Sequence, residues 1–168
     1  MSIEEIQAEI EALGGVLVLA PEPGDGLPEI SWGDLFFYYA PGGVLPPTQP
    51  FATIVTKEYP DEPGSGLDRP GAFRLNVAAG SAEFRRRTGH DPADPAATDG
   101  PAGDDVVLPH PVYGQLGWLC VVNPGPRTAT AVGELIETAH GHARQRHHRR
   151  SAADHPHPDE NEQKGRHG

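Results

Sequence analysis

The segment AFRLNVA, residues 72–78, has the clearest strand pattern of the chain. Phe73, Leu75 and Val77 alternate with Arg74 and Asn76, and a period of two residues is typical of a β-strand with one apolar and one polar face. An antiparallel sheet commonly buries one face and leaves the other in water. We therefore expect an antiparallel sheet in which Arg74 and Asn76 lie on the solvent side.

The sequence on either side predicts further strands and three helices. Ser2 and Glu5 have the spacing of a capping box, and Gly14-Gly15 is a suitable stop for the helix that follows. A short helix is expected at 80–89 with Ser81 as its cap, and a longer helix closes the domain near His140. The predicted strands are 16–21, 29–41, 50–57, 72–78 and 116–124. The resulting order, α-β-β-β-β-α-β-α, predicts an α+β fold with a single, mostly antiparallel sheet and helices on one face.

Composition divides the chain into a domain and a tail. Residues 1–140 carry the periodic apolar segments, and within them the loop 90–105 is rich in Pro, Asp and Gly and predicted to be mobile. Residues 141–168 are poor in apolar side chains and rich in His and Arg. We expect these last residues to form a disordered tail.

The charge is distributed unevenly and argues against several classes of partner. Residues 1–139 contain 20 acidic and 7 basic residues, whereas residues 140–168 contain 4 acidic and 6 basic ones. An acidic body repels phosphate backbones, so nucleic-acid binding is not expected. No apolar run is long enough to cross a bilayer, and glutamates occupy the start of the chain. With a single cysteine, Cys120, these features predict a cytoplasmic protein that does not bind membranes.

The segment LPHPVYGQLGWLCVV, residues 108–122, is the densest in reactive side chains. One hypothesis is a hydrolase or transferase that uses His110 together with Cys120 or Asp105, because a cysteine needs a base to become a thiolate. The alternative is that Cys120 is a small buried residue, as free cysteines commonly are. Two prolines, at 109 and 111, would then hold His110 at the rim of a groove as a ligand contact.

The aromatic and polar residues on the predicted strands suggest a binding site. Aromatic rings supply buried contact area and their hydroxyls orient a ligand, while arginine and histidine bind polar or anionic groups. The leading hypothesis is a non-enzymatic module that binds a small molecule or a protein partner, without a catalytic residue or a cofactor. Its candidate binding residues are Trp32, Tyr38, Arg74, Asn76, His110 and Tyr113.

Metal handling by the tail is a further alternative, since imidazoles are good ligands for zinc, nickel and copper. Flexible His-rich tracts collect such ions, but selective binding requires a fixed geometry. We therefore expect adventitious nickel or zinc binding. The candidate ligands are His140, His142, His147, His148, His155 and His157.

Four blocks carry a resemblance to known families: PEISWGDLFFYYAP, PFATIVTKEYP, LDRPGAFRLNV and HPVYGQLGWLCVVNPGPRT. Together they resemble a small actinobacterial family of unknown function, over nearly all of residues 1–140. More distantly, Trp32-Gly33, Trp118 and the helix with Leu135-Ile136 resemble the YjbR-like proteins, which implies a frataxin-like α+β fold with an antiparallel sheet. YGQLG before Trp118 replaces the lysine-bearing turn of that group, which argues against a nucleic-acid role; the resemblance provides no established activity and no catalytic residues.

Overall fold

The computed structural model describes residues 1–62, 64–98, 100 and 102–154. Within these residues the strands form one six-stranded sheet in the order β1-β2-β3-β4-β6-β5, and every neighbouring pair is antiparallel. The predicted α+β class with an antiparallel sheet is confirmed. The elements are α1 (Ile3–Ala12), β1 (Val16–Leu19), β2 (Leu35–Tyr39), β3 (Ala52–Val55), β4 (Arg74–Ala78), α2 (Ser81–Thr88), β5 (Leu108–Pro109), β6 (Trp118–Val122) and α3 (Ala129–Asp154).

The main core lies between the helices and one face of the sheet. Phe37, Ile54, Leu75 and Leu119 project from four strands toward the helices and are fully buried. The helices contribute apolar side chains to this core, and Phe84 of α2 is one of them. Members from α1 and α3 are Ile6, Ile10, Val132, Leu135, Ile136 and Ala139. The placement of helices over this face agrees with the prediction.

Element boundaries differ from the prediction where backbone geometry overrides the side-chain pattern. The expected strand 29–41 begins only at Leu35, because Glu29–Ser31 forms a 3-10 helix and Gly33 takes a positive φ of 86°. A two-residue strand, β5, adds an edge that the sequence did not indicate. Helix α2 is capped by Gly80 and not by Ser81, whereas the predicted stop at Gly89 is confirmed by its left-handed conformation. The predicted capping box of Ser2 and Glu5 is also present.

The second face of the sheet is covered, which contradicts the expectation that Arg74 and Asn76 meet water. Their exposed fractions are only 1% and 2%. The segment between β3 and β4 folds over this face, and its Leu67 packs with Val55 and Val122 in a second apolar cluster. In β4, the alternating pattern therefore distinguishes a buried apolar face, toward the helices, from a polar face that is also buried.

Helix α3 continues through Asp154, so residues 141–154, which the sequence assigns to the start of the tail, are helical. No proline interrupts residues 129–154, and His140 anchors this part of the helix through its Nε2 atom, 2.8 Å from the carbonyl oxygen of Gly14. The rings of His140 and His147 lie edge-on to Tyr39, each at 5.3 Å between centroids. Residues 155–168 of the predicted tail lie outside the described residues.

The acidic loop 90–105 has local order in its described residues. Pro95–Thr98 forms a 3-10 helix and Ala97 is buried, while residues 99 and 101 lie outside the described part. The mobility of this loop stays a prediction. Among the described residues, no helix combines the length and the apolar composition that crossing a bilayer requires.

Gly117, at the entrance to β6, is predicted to be the least replaceable glycine of the sheet. Its φ is +84°, and an added Cβ would lie 2.9 Å from the backbone carbon of Gly80. We expect Gly117→Ala to lower the free energy of unfolding by about 1–3 kcal/mol, because both strain and a backbone clash oppose it.

Gly133→Ala is the matched control, since it places the same methyl group in α3 with no atom within 4 Å. It should raise the free energy of unfolding by about 0.5–1 kcal/mol. Urea denaturation of both variants measures the two effects. Equal stabilities for the two variants would contradict the close approach at Gly117.

Candidate functional site

A pocket of about 480 Å³ opens on the sheet face that points away from the helices. Its floor comes from alternate residues of the central strands, and its walls come from the segments before β2, after β3 and around β5. We call it the aromatic pocket, because rings make up much of its lining. Its lining residues are Pro28, Ile30, Ser31, Phe36, Tyr38, Gln49, Pro50, Thr53, Val55, Tyr59, Glu62, Asn76, His110, Tyr113, Leu116 and Trp118.

The polar floor is a chain of hydrogen bonds between neighbouring strands. Thr53 of β3 lies in register with Asn76 of β4, and the Asn76 amide donates to Thr53 Oγ1 at 2.9 Å. Arg74 Nε donates to Asn76 Oδ1 at 2.7 Å. The carboxamide of Asn76 is thus fixed at both ends, which sets its orientation toward the pocket.

The charge of Arg74 is compensated beneath the pocket. Its Nη2 atom lies 2.5 Å from Glu62 Oε2, and its Nη1 donates to Ser65 Oγ at 2.7 Å. A buried ion requires such pairing, because removal of one partner leaves an uncompensated charge. The expectation that Arg74 binds an anionic ligand in this pocket is therefore not supported.

His110 is held as a neutral imidazole and is not on a rim. The residue is 5% exposed, and the backbone N–H groups of Val112 and Tyr113 donate to Nδ1 at 3.1 and 3.0 Å. Because two amide groups donate to Nδ1, the proton of the neutral ring is assigned to Nε2, which lies 3.4 Å from Arg74 Nη2 and 3.9 Å from Glu62 Oε2. Burial, aided by the nearby charge of Arg74, lowers the pKa of His110 to about 3.

Three rings pack at one end of the pocket. The centroid of His110 lies 4.9 Å from that of Tyr113 and 6.2 Å from that of Trp118. Tyr113 begins a 3-10 turn and is 45% exposed, so it forms the mouth of the pocket while His110 forms its interior. A flat ligand can stack against such rings at favourable offset or edge-on geometry.

A second polar cluster supports the wall at Tyr59. The Tyr59 hydroxyl donates to the buried carboxylate of Asp34, which also accepts from the backbone N–H and the hydroxyl of Thr56 at 2.8 and 2.9 Å. Lys57 Nζ lies 3.4 Å from the same carboxylate. Burial and the hydrogen bond to Asp34 raise the pKa of Tyr59. The ring of Tyr59 is therefore oriented by its hydroxyl.

The structure brings together four of the six candidate binding residues. Tyr38, Asn76, His110 and Tyr113 line the aromatic pocket. Arg74 lies beneath it, and Trp32, whose carbonyl accepts a hydrogen bond from Lys57, is not among the lining residues in the described part of the chain.

Other lining residues were missed from the sequence. Strand parity places Thr53 opposite Asn76 and is a signal that could have identified it. Glu62 lies in an irregular loop, and no pattern in the sequence distinguishes it from the other acidic residues there.

The two partners proposed for a catalytic His110 have other roles. The Cys120 thiol is directed to the carbonyl oxygen of Pro109 at 3.6 Å, and burial raises its pKa to about 11, so it is a thiol at neutral pH. Asp105 accepts hydrogen bonds from the backbone N–H groups of Gly125, Arg127 and Thr128 before the start of α3. This geometry does not assemble a nucleophile, a base and an orienting acid.

The histidines predicted as metal ligands are dispersed along α3. His140 bonds Gly14, His142 lies against Gly80, and His147 and His148 flank Tyr39. His155 and His157 lie outside the described residues. In the described ranges, no group of three or more His, Cys, Asp or Glu side chains is placed to hold a metal ion.

Fold and site together define an α+β protein whose antiparallel sheet carries helices on one face and a pocket lined by aromatic residues on the other. The chain belongs to the family described as a family of unknown function (DUF6194), whose model matches residues 1–152. No curated protein and no solved structure matched the chain in the corresponding searches.

The depressed pKa of His110 predicts a loss of stability in acid. The folded state keeps the ring neutral down to about pH 3, whereas the unfolded chain takes up a proton below about pH 6.5. The free energy of unfolding therefore falls as the pH drops from 6.5 toward 3, by up to about 1.4 kcal/mol per pH unit. Urea denaturation across this pH range measures the slope.

His110→Asn is the control, because Asn cannot titrate while its Oδ1 can still accept the N–H groups of Val112 and Tyr113. The variant should show a smaller slope. Parallel pH profiles for the two proteins would contradict the neutral, buried state of His110.

Asp105 is predicted to stabilise the start of α3. Hydrogen bonds from Thr128 and the backbone lower its pKa to about 2, and its φ of 55° is one that Asn also tolerates. Asp105→Ala should lower the Tm by several degrees, and Asp105→Asn by less, because the amide oxygen still accepts. Thermal denaturation of both variants and of the wild type measures these differences in Tm. Equal Tm values for wild type and Asp105→Ala would refute the capping role.

Proposed function

We propose that the protein is a non-catalytic binding module whose aromatic pocket holds a small molecule with an uncharged aromatic ring system. One observation supports this most directly: a cavity of about 480 Å³ is lined by Phe36, Tyr38, Tyr113 and Trp118, while the charge of Arg74 beneath it is neutralised by Glu62. Ligand sites in proteins commonly combine an apolar lining with a few oriented polar groups.

The polar atoms around the cavity specify how the ring would be oriented. His110 Nε2 lies on the Glu62 side of the pocket, 3.4 Å from Arg74 Nη2 and 3.9 Å from Glu62 Oε2, and the Asn76 carboxamide is fixed in the floor. The hydroxyl of Tyr38, with its pKa raised by burial, is a protonated donor at neutral pH. A flat ligand with one or two hydrogen-bonding atoms on its edge fits these groups without carrying a charge into the interior.

Binding of 1-naphthol to the full chain tests the proposal. A ligand that binds only the folded state raises the Tm in proportion to its affinity and concentration, and isothermal titration calorimetry then gives the Kd. Tyr113→Ala removes one exposed ring at the mouth and should weaken binding about three- to tenfold, the range expected for one aromatic contact.

Val112→Ala is the matched control, since Val112 is similarly exposed, at 43%, but is not among the described lining residues. It should leave the Kd unchanged. If the well-folded chain binds no aromatic probe, the small-molecule proposal fails and the exposed apolar side chains of Ile30, Tyr113 and Leu116 favour a protein partner instead.

We further infer the cellular location of the protein, the origin of its family and a distant relationship, none of which depends on the binding test. A cytoplasmic location and an actinobacterial family rest on the sequence features given above. A distant relation to YjbR-like proteins is supported by the antiparallel α+β arrangement and by the position of Trp118 at the start of the last long strand.

A further inference from the structure

A second groove, of about 430 Å³, adjoins the aromatic pocket and is lined by basic side chains of α3. His142, Arg146 and Arg150 are spaced four residues apart, so they form one stripe along the helix. We call this the basic groove. Its lining also includes Gln49, Pro50, Leu116 and Trp118, and all four of these residues line the aromatic pocket as well. The two cavities therefore share a wall.

The positive charge of the basic groove is not balanced by neighbouring acids. Each lysine and arginine between residues 57 and 87 has a carboxylate oxygen within 4 Å. In contrast, no carboxylate of the described residues forms such a pair with Arg146 or Arg150. Arg144 and Arg149 of the same helix likewise form no such pair within the described residues, so this part of α3 carries uncompensated positive charge in a chain whose formal net charge is −11.

One of the basic side chains, His142, packs against the wall of the cavity. An added Cβ on Gly80 would lie 3.0 Å from Cε1 of His142, so the imidazole packs closely against the segment that starts α2. Arg146 is crowded by other cations, since partial burial and the charges of Arg150 and Arg149 lower its pKa. An anion in the groove would relieve this repulsion.

We propose that the basic groove binds the phosphate group of a ligand whose aromatic ring occupies the aromatic pocket. Phosphate suits the site because a dianion can accept hydrogen bonds from two guanidinium groups and an imidazole at once. The shared wall at Trp118 and Leu116 places the ring and the phosphate in adjoining cavities. This inference rests on the proposed function and names its ligand class: aromatic phosphate monoesters.

Three probes distinguish the contributions: 1-naphthyl phosphate, 1-naphthol and inorganic phosphate, each titrated calorimetrically into the full chain at neutral pH and low ionic strength. We expect 1-naphthyl phosphate to bind at least about tenfold more tightly than 1-naphthol, with a gain that decreases as salt is added. Inorganic phosphate should bind more weakly than the ester, because it lacks the ring.

The double variant Arg146→Gln/Arg150→Gln should remove this gain and leave the affinity for 1-naphthol unchanged. Each single variant should remove part of the gain. Arg144→Gln is the matched control: it removes the same charge from the same helix, but Arg144 is not among the described residues of the groove. Far-ultraviolet circular dichroism establishes that each variant keeps the helix.

The possible failures are distinguishable. If 1-naphthol binds and the phosphate adds no affinity, or if the gain persists in the double variant, the basic groove is not the anion site and the proposed function stands. If inorganic phosphate binds as tightly as 1-naphthyl phosphate, the ring makes no contribution and the combined site is refuted. If neither naphthyl probe binds, the proposed function and the inference both fail.

Discussion

The buried guanidinium of Arg74 is the constraint on which the second face of the sheet depends. It lies in the central strand β4 with an exposed fraction of 1%, on the face that the helices do not cover. A charge in such a place needs a counter-charge and hydrogen bonds, and breaking a buried ion pair by removing one partner typically costs about 3–5 kcal/mol. Glu62, Ser65 and Asn76 provide these partners.

Two of those partners come from the segment between β3 and β4, so the ion pair and the fold of that segment require each other. Leu67 of this segment packs on Val55 and Val122, which excludes water from the guanidinium and strengthens its pairing with Glu62. The covered half of the sheet face lies next to an open half, and the open half is the aromatic pocket. The hydrogen bonds that compensate the charge of Arg74 therefore also fix Asn76 in the floor of the pocket.

The sequence was informative where side-chain periodicity determines structure. The alternation in residues 72–78 identified β4, because burial of one face dominates the energetics of such a strand, and the capping box of Ser2 and Glu5 identified the start of α1. It was less informative about Arg74, since the same alternation describes a solvated face and a face covered by a distant loop. The length of α3 was underestimated because composition does not register the contacts of His140 with Gly14 and Tyr39.

The site residues illustrate the same division. Tyr38, Asn76, His110 and Tyr113 could be selected because they lie on or beside predicted strands. The protonation state of His110 could not be predicted, because it depends on two backbone N–H groups that converge on Nδ1 only after the chain turns at residues 110–113. The basic groove was hidden for a different reason, since its arginines lie in residues that composition assigned to a disordered tail.

The placement of charge in this molecule follows from the cost of desolvation. A charged ligand group inside the aromatic pocket would have to replace its hydration with contacts to a floor whose ionic groups are already paired, which is unfavourable. At the exposed stripe of α3 an anion keeps part of its hydration while it gains two guanidinium partners. The aromatic pocket therefore suits an uncharged ring, and the adjoining stripe of α3 suits an anionic group. A ligand that carries both groups can bind each of them where the desolvation cost is lowest.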